Sequence, residues 1–167
     1  MGKFKVIGLL ALLVAVIAPL WATLSGLLGL KTGAVALITA GLYVANGIKI
    51  ENALKITLGF LAGNFWAFFV VKTMMAVGGG INPNLLLFLT LFVYAIVAVF
   101  IACYLDKIFD LSAWLAGWAV TLSLLPPNPA EHFTMVLHIA IAMVAGVWLV
   151  GVLITSAHKY LLSKQKN

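Results

Sequence analysis

The chain has 167 residues, of which 65% are hydrophobic and only 8% charged, with a net charge of +6 and a mean hydropathy of +1.20. A soluble domain carries about a quarter charged residues, and a globule of this size could not hide so much apolar surface. That composition excludes an ordinary soluble enzyme and points to one integral membrane domain over residues 1–167, all-α, a polytopic transmembrane helical bundle, with the lipid bilayer as its first partner.

Met1 to Lys5 is a short basic start, and Val6 to Leu30 is an apolar run too long for a secretory signal. It reads as a retained first span, with Pro19 as a kink and Trp21 nearing the far interface. Thr23, Ser25, Gly26 and Gly29 give its outer half a small, weakly polar face suited to close packing. The next run, Gly33 to Gly47, has fifteen residues. As a helix it would reach roughly 22 Å, short of a ~30 Å hydrocarbon core. It stops at the turn dipeptide Asn46-Gly47, and Lys49, Glu51, Asn52 and Lys55 then read as a solvated loop leading into a helix start.

The third run, from about Ile56 to Val77, carries Asn64 near its middle. An unpaired amide at that depth is costly, so Asn64 should face protein or a water-filled cavity. Two readings are open, an interhelical hydrogen bond or contact with a solute. Gly59, Ala62 and Gly63 around it would let another helix come close. Lys72 lies near enough to the end of the run to reach the interface. Gly78 to Asn84 cannot be helical, and lacks the strand, helix and lysine of a phosphate-binding loop.

Leu85 to Leu105 is a fourth, continuously apolar run that looks like the span most exposed to lipid; its Cys103, the only cysteine, reads as a small packing residue. After Asp106 to Asp110, the fifth run, Leu111 to Leu125, is again short and stops at Pro126-Pro127-Asn128-Pro129. Trp114 and Trp118 lie on one face of it, for packing or interface anchoring. The sixth run is Thr134 to Ala157, followed by a basic tail.

Six spans place Lys3, Lys5, Lys49, Lys55, Lys107, Lys159, Lys164 and Lys166 on one side, against Lys31 and Lys72 on or toward the other. By the positive-inside rule both termini are cytoplasmic. The ten basic residues are all lysines at the ends of apolar runs, a topology signal that gives no support to nucleic-acid binding.

The short second and fifth runs hold matching places in possible halves 1–80 and 81–167. Each ends in a breaking turn, is followed by Glu51 or Glu131, and leads to a long run carrying Leu61-Ala62-Gly63-Asn64-Phe65-Trp66 or Val144-Ala145-Gly146-Val147-Trp148. Three spans per half make this an inverted 3+3 repeat, a pattern that marks a solute site near the short segments. Chance similarity in common membrane residues is the other reading.

The four carboxylates lie at membrane surfaces and His132, His138 and His158 are dispersed, so no nucleophile, acid/base pair or metal cluster is assembled. The expectation is a protein that is not an enzyme, with no cofactor and no metal site. No acid sits mid-span, which argues against proton-coupled export and favours a channel or transporter for a small polar solute. The solute path would use Tyr43, Asn46, Asn64, Thr121, Ser123 and Asn128, with His138 and Lys72 as possible gating groups. The alternative is a structural or accessory membrane subunit that transports nothing. So many Gly and Ala positions also suit a homo-oligomer.

The segments Trp21 to Leu30, Gly41-Leu42-Tyr43-Val44-Ala45, Ala62-Gly63-Asn64-Phe65-Trp66-Ala67 and Phe109 to Ser123 resemble the YcdZ-like family of small bacterial inner-membrane proteins. The family pattern has a cysteine or proline after the second span, where this chain has Asn46-Gly47. The resemblance implies six spans in a bacterial inner membrane and carries over no catalytic residue.

Overall fold

A computed structural model describes residues 3–47 and 49–164, with side chains from Val6 onward. Of the topology lysines, the side chains of Lys3 and Lys5 and the whole of Lys166 lie outside the described residues. Every regular element among the described residues is helical: α1 (Lys3–Leu27), α2 (Val35–Ala45), α3 (Ile50–Val77), α4 (Pro83–Tyr104) and α5 (Leu111–Leu124). A 3₁₀ turn, Pro129–Glu131, then opens a continuous last helix made of α6 (His132–Ala145), a π-helical segment (Gly146–Val152) and α7 (Leu153–Lys164).

Four stretches are long and apolar enough to cross a membrane: Val6–Leu27, Ile50–Val77, Pro83–Tyr104 and Pro129–Lys164. The protein is therefore a helical membrane protein by length and composition. Helices α2 and α5 have 11 and 14 residues, which at 1.5 Å each gives about 16 and 21 Å. Both expected short helices are present.

The helix ends follow local chemistry. Gly29 takes φ +73° after α1, and Leu30 N–H donates to Ser25 O at 2.9 Å, closing a Schellman turn. The Asn82 side chain accepts from Asn84 N and Leu85 N, with Pro83 in the first turn of α4. Asp110 Oδ1 accepts from Ala113 N at 2.8 Å and caps α5.

Several sequence expectations shift. Helix α3 starts at Ile50, so Glu51, Asn52 and Lys55 belong to its first turns; an acid there suits the positive end of the helix dipole. Helix α1 stops at Leu27 because the Gly29 turn intervenes. The last helix starts at His132 and runs to Lys164, past the expected ends. Of Thr23, Ser25, Gly26 and Gly29, Ser25 alone is buried. The most exposed long helix is α1, with 11% of its apolar window buried against 22% for α4. Cys103 is exposed, because on the same turn it is Ala102 that faces inward.

The chain forms two compact units, Met1–Leu54 with Ile141–Asn167, and Lys55–Ala140. The first unit holds α1, α2, the π segment and α7. Its core joins Ala18 and Trp21 to Ala36, Ala40, Val150 and Ile154. Trp21 Nε1 donates to Gly33 O at 3.0 Å, and a His158 ring nitrogen lies 3.0 Å from Val6 O. The second unit holds most of α3, then α4, α5 and the first part of α6. Its cores gather Ala67, Val70 and Trp118, and Ala98, Ala102 and Trp114.

In each unit a short helix lies backbone-to-backbone on glycines of a long one. A Cβ at Gly63 would strike Trp114 O and come within 2.7 Å of Trp118 N. Gly59 meets Asp110 and Ala113 in the same way, and Gly117 of α5 meets the Phe60 backbone. In the first unit a Cβ at Gly146 would overlap Ala36 O and Thr39 Oγ1 of α2, and one at Gly151 would lie 2.8 Å from the Tyr43 ring. Lipid removes the hydrophobic drive between helices, so such close approach is a main source of their cohesion.

We expect Gly63→Ala and Gly146→Ala each to cost about 1–3 kcal/mol, the range for overpacking. Gly8→Ala, with open space around it, should be neutral or slightly stabilising. Thermal unfolding in detergent checks the contrast.

Candidate functional site

The one amide deep in a long helix is hydrogen-bonded at both its nitrogen and its oxygen. Asn64, completely buried, uses Nδ2 to donate to Val136 O of α6 at 2.9 Å. Its Oδ1 accepts from Thr121 Oγ1 of α5 at 2.6 Å. Thr121 is also fully buried. One side chain of α3 thus pins α5 and α6, next in the chain to Gly63, which lets α5 approach. The amide faces protein, as its depth demanded.

Beside this clamp runs an aromatic ladder. Trp66 sits edge-to-face with Tyr94 at 5.2 Å and with Trp114 at 5.5 Å, and Phe109 meets Trp114 at 5.1 Å. Trp66 Nε1 donates to Tyr94 O at 3.1 Å, and the Tyr94 and Thr73 hydroxyls are 2.7 Å apart. Trp114 and Trp118 are packing residues, 3% and 7% exposed, and their indole N–H groups have no hydrogen-bond partner.

The other expected path residues are dispersed. Tyr43 is buried in the first unit against Gly151. Asn46 Nδ2 donates to Leu42 O at the end of α2. Ser123 is exposed and donates to Ala119 O of its own helix. Asn128 accepts from Ala130 N and donates to Glu131 Oε1, ordering the turn before α6. Of the six, the structure joins Asn64 and Thr121 directly. Of the two possible gating groups, His138 is half-buried and Lys72 exposed, with its Nζ 5.4 Å from the Phe68 ring centre. Among the described residues no three His, Cys, Asp or Glu side chains gather where a metal ion could be held.

The feature that sequence reasoning missed is the π segment. Leu153 N–H donates to Trp148 O, five residues back, and the wider turn brings Gly146 and Gly151 onto the one face that meets α2. Thr155 Oγ1 donates to Gly151 O and Val152 O at 2.9 and 3.0 Å, covering carbonyls at the end of the segment. Segments of this kind are frequent at functional sites. The spacing of five between the two glycines was the available signal.

The family model described as "Protein of unknown function (DUF1097)" matches residues 11–158. The chain belongs to this family. No curated protein and no solved structure matches it. The family match spans both units, so the clamp and the π segment lie inside the family's domain.

The Asn64–Thr121 bond is testable as a coupled pair. In a double-mutant cycle of Asn64→Ala and Thr121→Val, thermal unfolding should give a coupling of about 0.6–1.7 kcal/mol, the span from average to largest for such bonds between membrane helices. Thr121→Ser, which keeps the hydroxyl, should retain most of it.

Proposed function

We propose that this protein is a passive channel or transporter for a small polar solute, in a bacterial inner membrane with both termini cytoplasmic, and that it catalyses no reaction. The location follows the resemblance to the YcdZ-like family and the lysine distribution. The observation that carries the transport reading is the repeated construction around the short helices. Each unit seats one helix shorter than a ~30 Å hydrocarbon core on glycines of a long helix, and one of those long helices is interrupted by a π segment. Paired short or broken helices in corresponding places of two halves are where secondary transporters put their solute sites. Mid-span acids are absent from the sequence, which suits passive movement past neutral groups better than proton coupling.

One observation favours a second reading, an accessory subunit without transport. Both ends of the Asn64 amide are spent inside the protein, as in a purely structural clamp. In the transport reading the clamp positions α5, and the solute passes beside the short helices without displacing Asn64.

Flux of a panel of small neutral and ionic solutes into proteoliposomes separates the two. Transport predicts selective uptake above protein-free vesicles, lost when Gly146→Leu or Gly63→Leu displaces a short helix in protein that still inserts and keeps its helical content. No flux for any solute with the wild-type protein intact would remove the transport reading for that panel and leave the accessory one.

A further inference from the structure

The first unit contains an open cavity of about 290 Å³. Leu10 and Val14 of α1 form one wall, Leu37 and Val44 of α2 the other, and Gly151 and Ile154 the floor. We propose that this cavity binds one acyl chain of a bilayer phospholipid, held against the π segment.

Its chemistry selects hydrocarbon. None of the lining residues carries a charge, and the one hydroxyl among them, on Thr155, is committed to the carbonyls of Gly151 and Val152. No polar hook is left for a headgroup or a hydrated solute. Depth selects the source. Val14 stands near the middle of the Val6–Leu27 span, where the bilayer offers chain ends and no headgroups. The mouth opens outward, since Val14, Leu37 and Val44 are 43%, 48% and 47% exposed. Size sets the cargo: the volume lies at the small end of ligand cavities, about 300–1,000 Å³, and is about twice that of an apolar cavity that holds benzene. It takes a length of chain and excludes a whole lipid.

Gly41 shows what keeps this space open. It lies in the middle of α2 and lines the cavity. A Cβ there would meet nothing within 4 Å, and its backbone is not in the left-handed region. Neither packing nor conformation requires glycine, which weakens a helix interior. What its missing side chain provides is the open space of the cavity.

The test uses full-length protein, purified and delipidated in detergent, and titrated with dioleoyl phosphatidylcholine while thermal unfolding is followed. A site filled to about a hundred times its dissociation constant should raise Tm saturably by roughly 5–10 °C. Dihexanoyl phosphatidylcholine, with the same headgroup and chains too short to reach mid-span, should not. Gly41→Leu fills the cavity from within and should lose at least half the response, whereas Gly8→Leu, on an exposed and open part of α1, should keep it. If Gly41→Leu does not fold, Leu37→Phe fills the cavity from the same wall and is held to the same result. A wild type that does not respond, an equal response to the short-chain lipid, or a full response in the cavity-filling variant would each overturn the proposal. No solute flux enters the readout, so this result stands apart from the transport reading.

Discussion

Backbone contact through glycine is the interaction on which the rest of this structure depends. A helix of about 16 or 21 Å cannot satisfy a ~30 Å hydrocarbon layer by itself, and lipid does not drive apolar helices together. Helices α2 and α5 are held because Gly146 and Gly63 let their backbones come as near as heavy atoms allow, where dispersion and weak C–H to oxygen contacts accumulate. Asn64 then adds direction. By joining Thr121 to Val136 it fixes the register of α5 against α3 and α6, which a smooth glycine face alone would leave free to slide.

The π segment solves a spacing problem. On α3, Gly59 and Gly63 are four apart, so an ordinary helix carries both on the face that meets α5. On the last helix Gly146 and Gly151 are five apart, and an α-helix would turn one of them away from α2. Hydrogen bonding five residues back widens the turn and restores a common face. The wider turn disturbs carbonyl pairing, and the Thr155 hydroxyl covers part of that disturbance. The same stretch floors the cavity lined by Gly41, so one local irregularity shapes both a helix contact and an open space.

How much was legible in the sequence follows from which signals are local. The six apolar runs, the two short ones and most breaks could be read, since Asn46-Gly47, Asn82-Pro83 and Asp110 act through their immediate neighbours. Asn64 could be recognised as turned toward protein, because an amide deep in hydrocarbon has no cheaper choice. Its partners could not, since Thr121 and the carbonyl of Val136 lie far along the chain and nothing in either residue type announces the contact. The face of a uniformly apolar helix was equally hidden. With apolar residues all round, α1 and α4 offer no polar stripe to mark the lipid side, so their order of exposure was read the wrong way round and Cys103 was placed inward. Of the candidate site, the Asn64–Thr121 pair assembled as one cluster, while Tyr43, Asn46, Ser123 and Asn128 each serve their own turn or neighbour.

In the transport reading the short helices complete two halves of opposite direction, so that α5, like α2, crosses the membrane. Cysteine accessibility at Gly79, in the turn after α3, decides it most directly. In a Cys103→Ser background in sealed vesicles, Gly79→Cys and Ser163→Cys are labelled with an impermeant thiol reagent from either face. Six crossings put Gly79 on the side opposite Ser163. Labelling of both from the same side would mean that α5 turns back without crossing, and the inverted arrangement would fall.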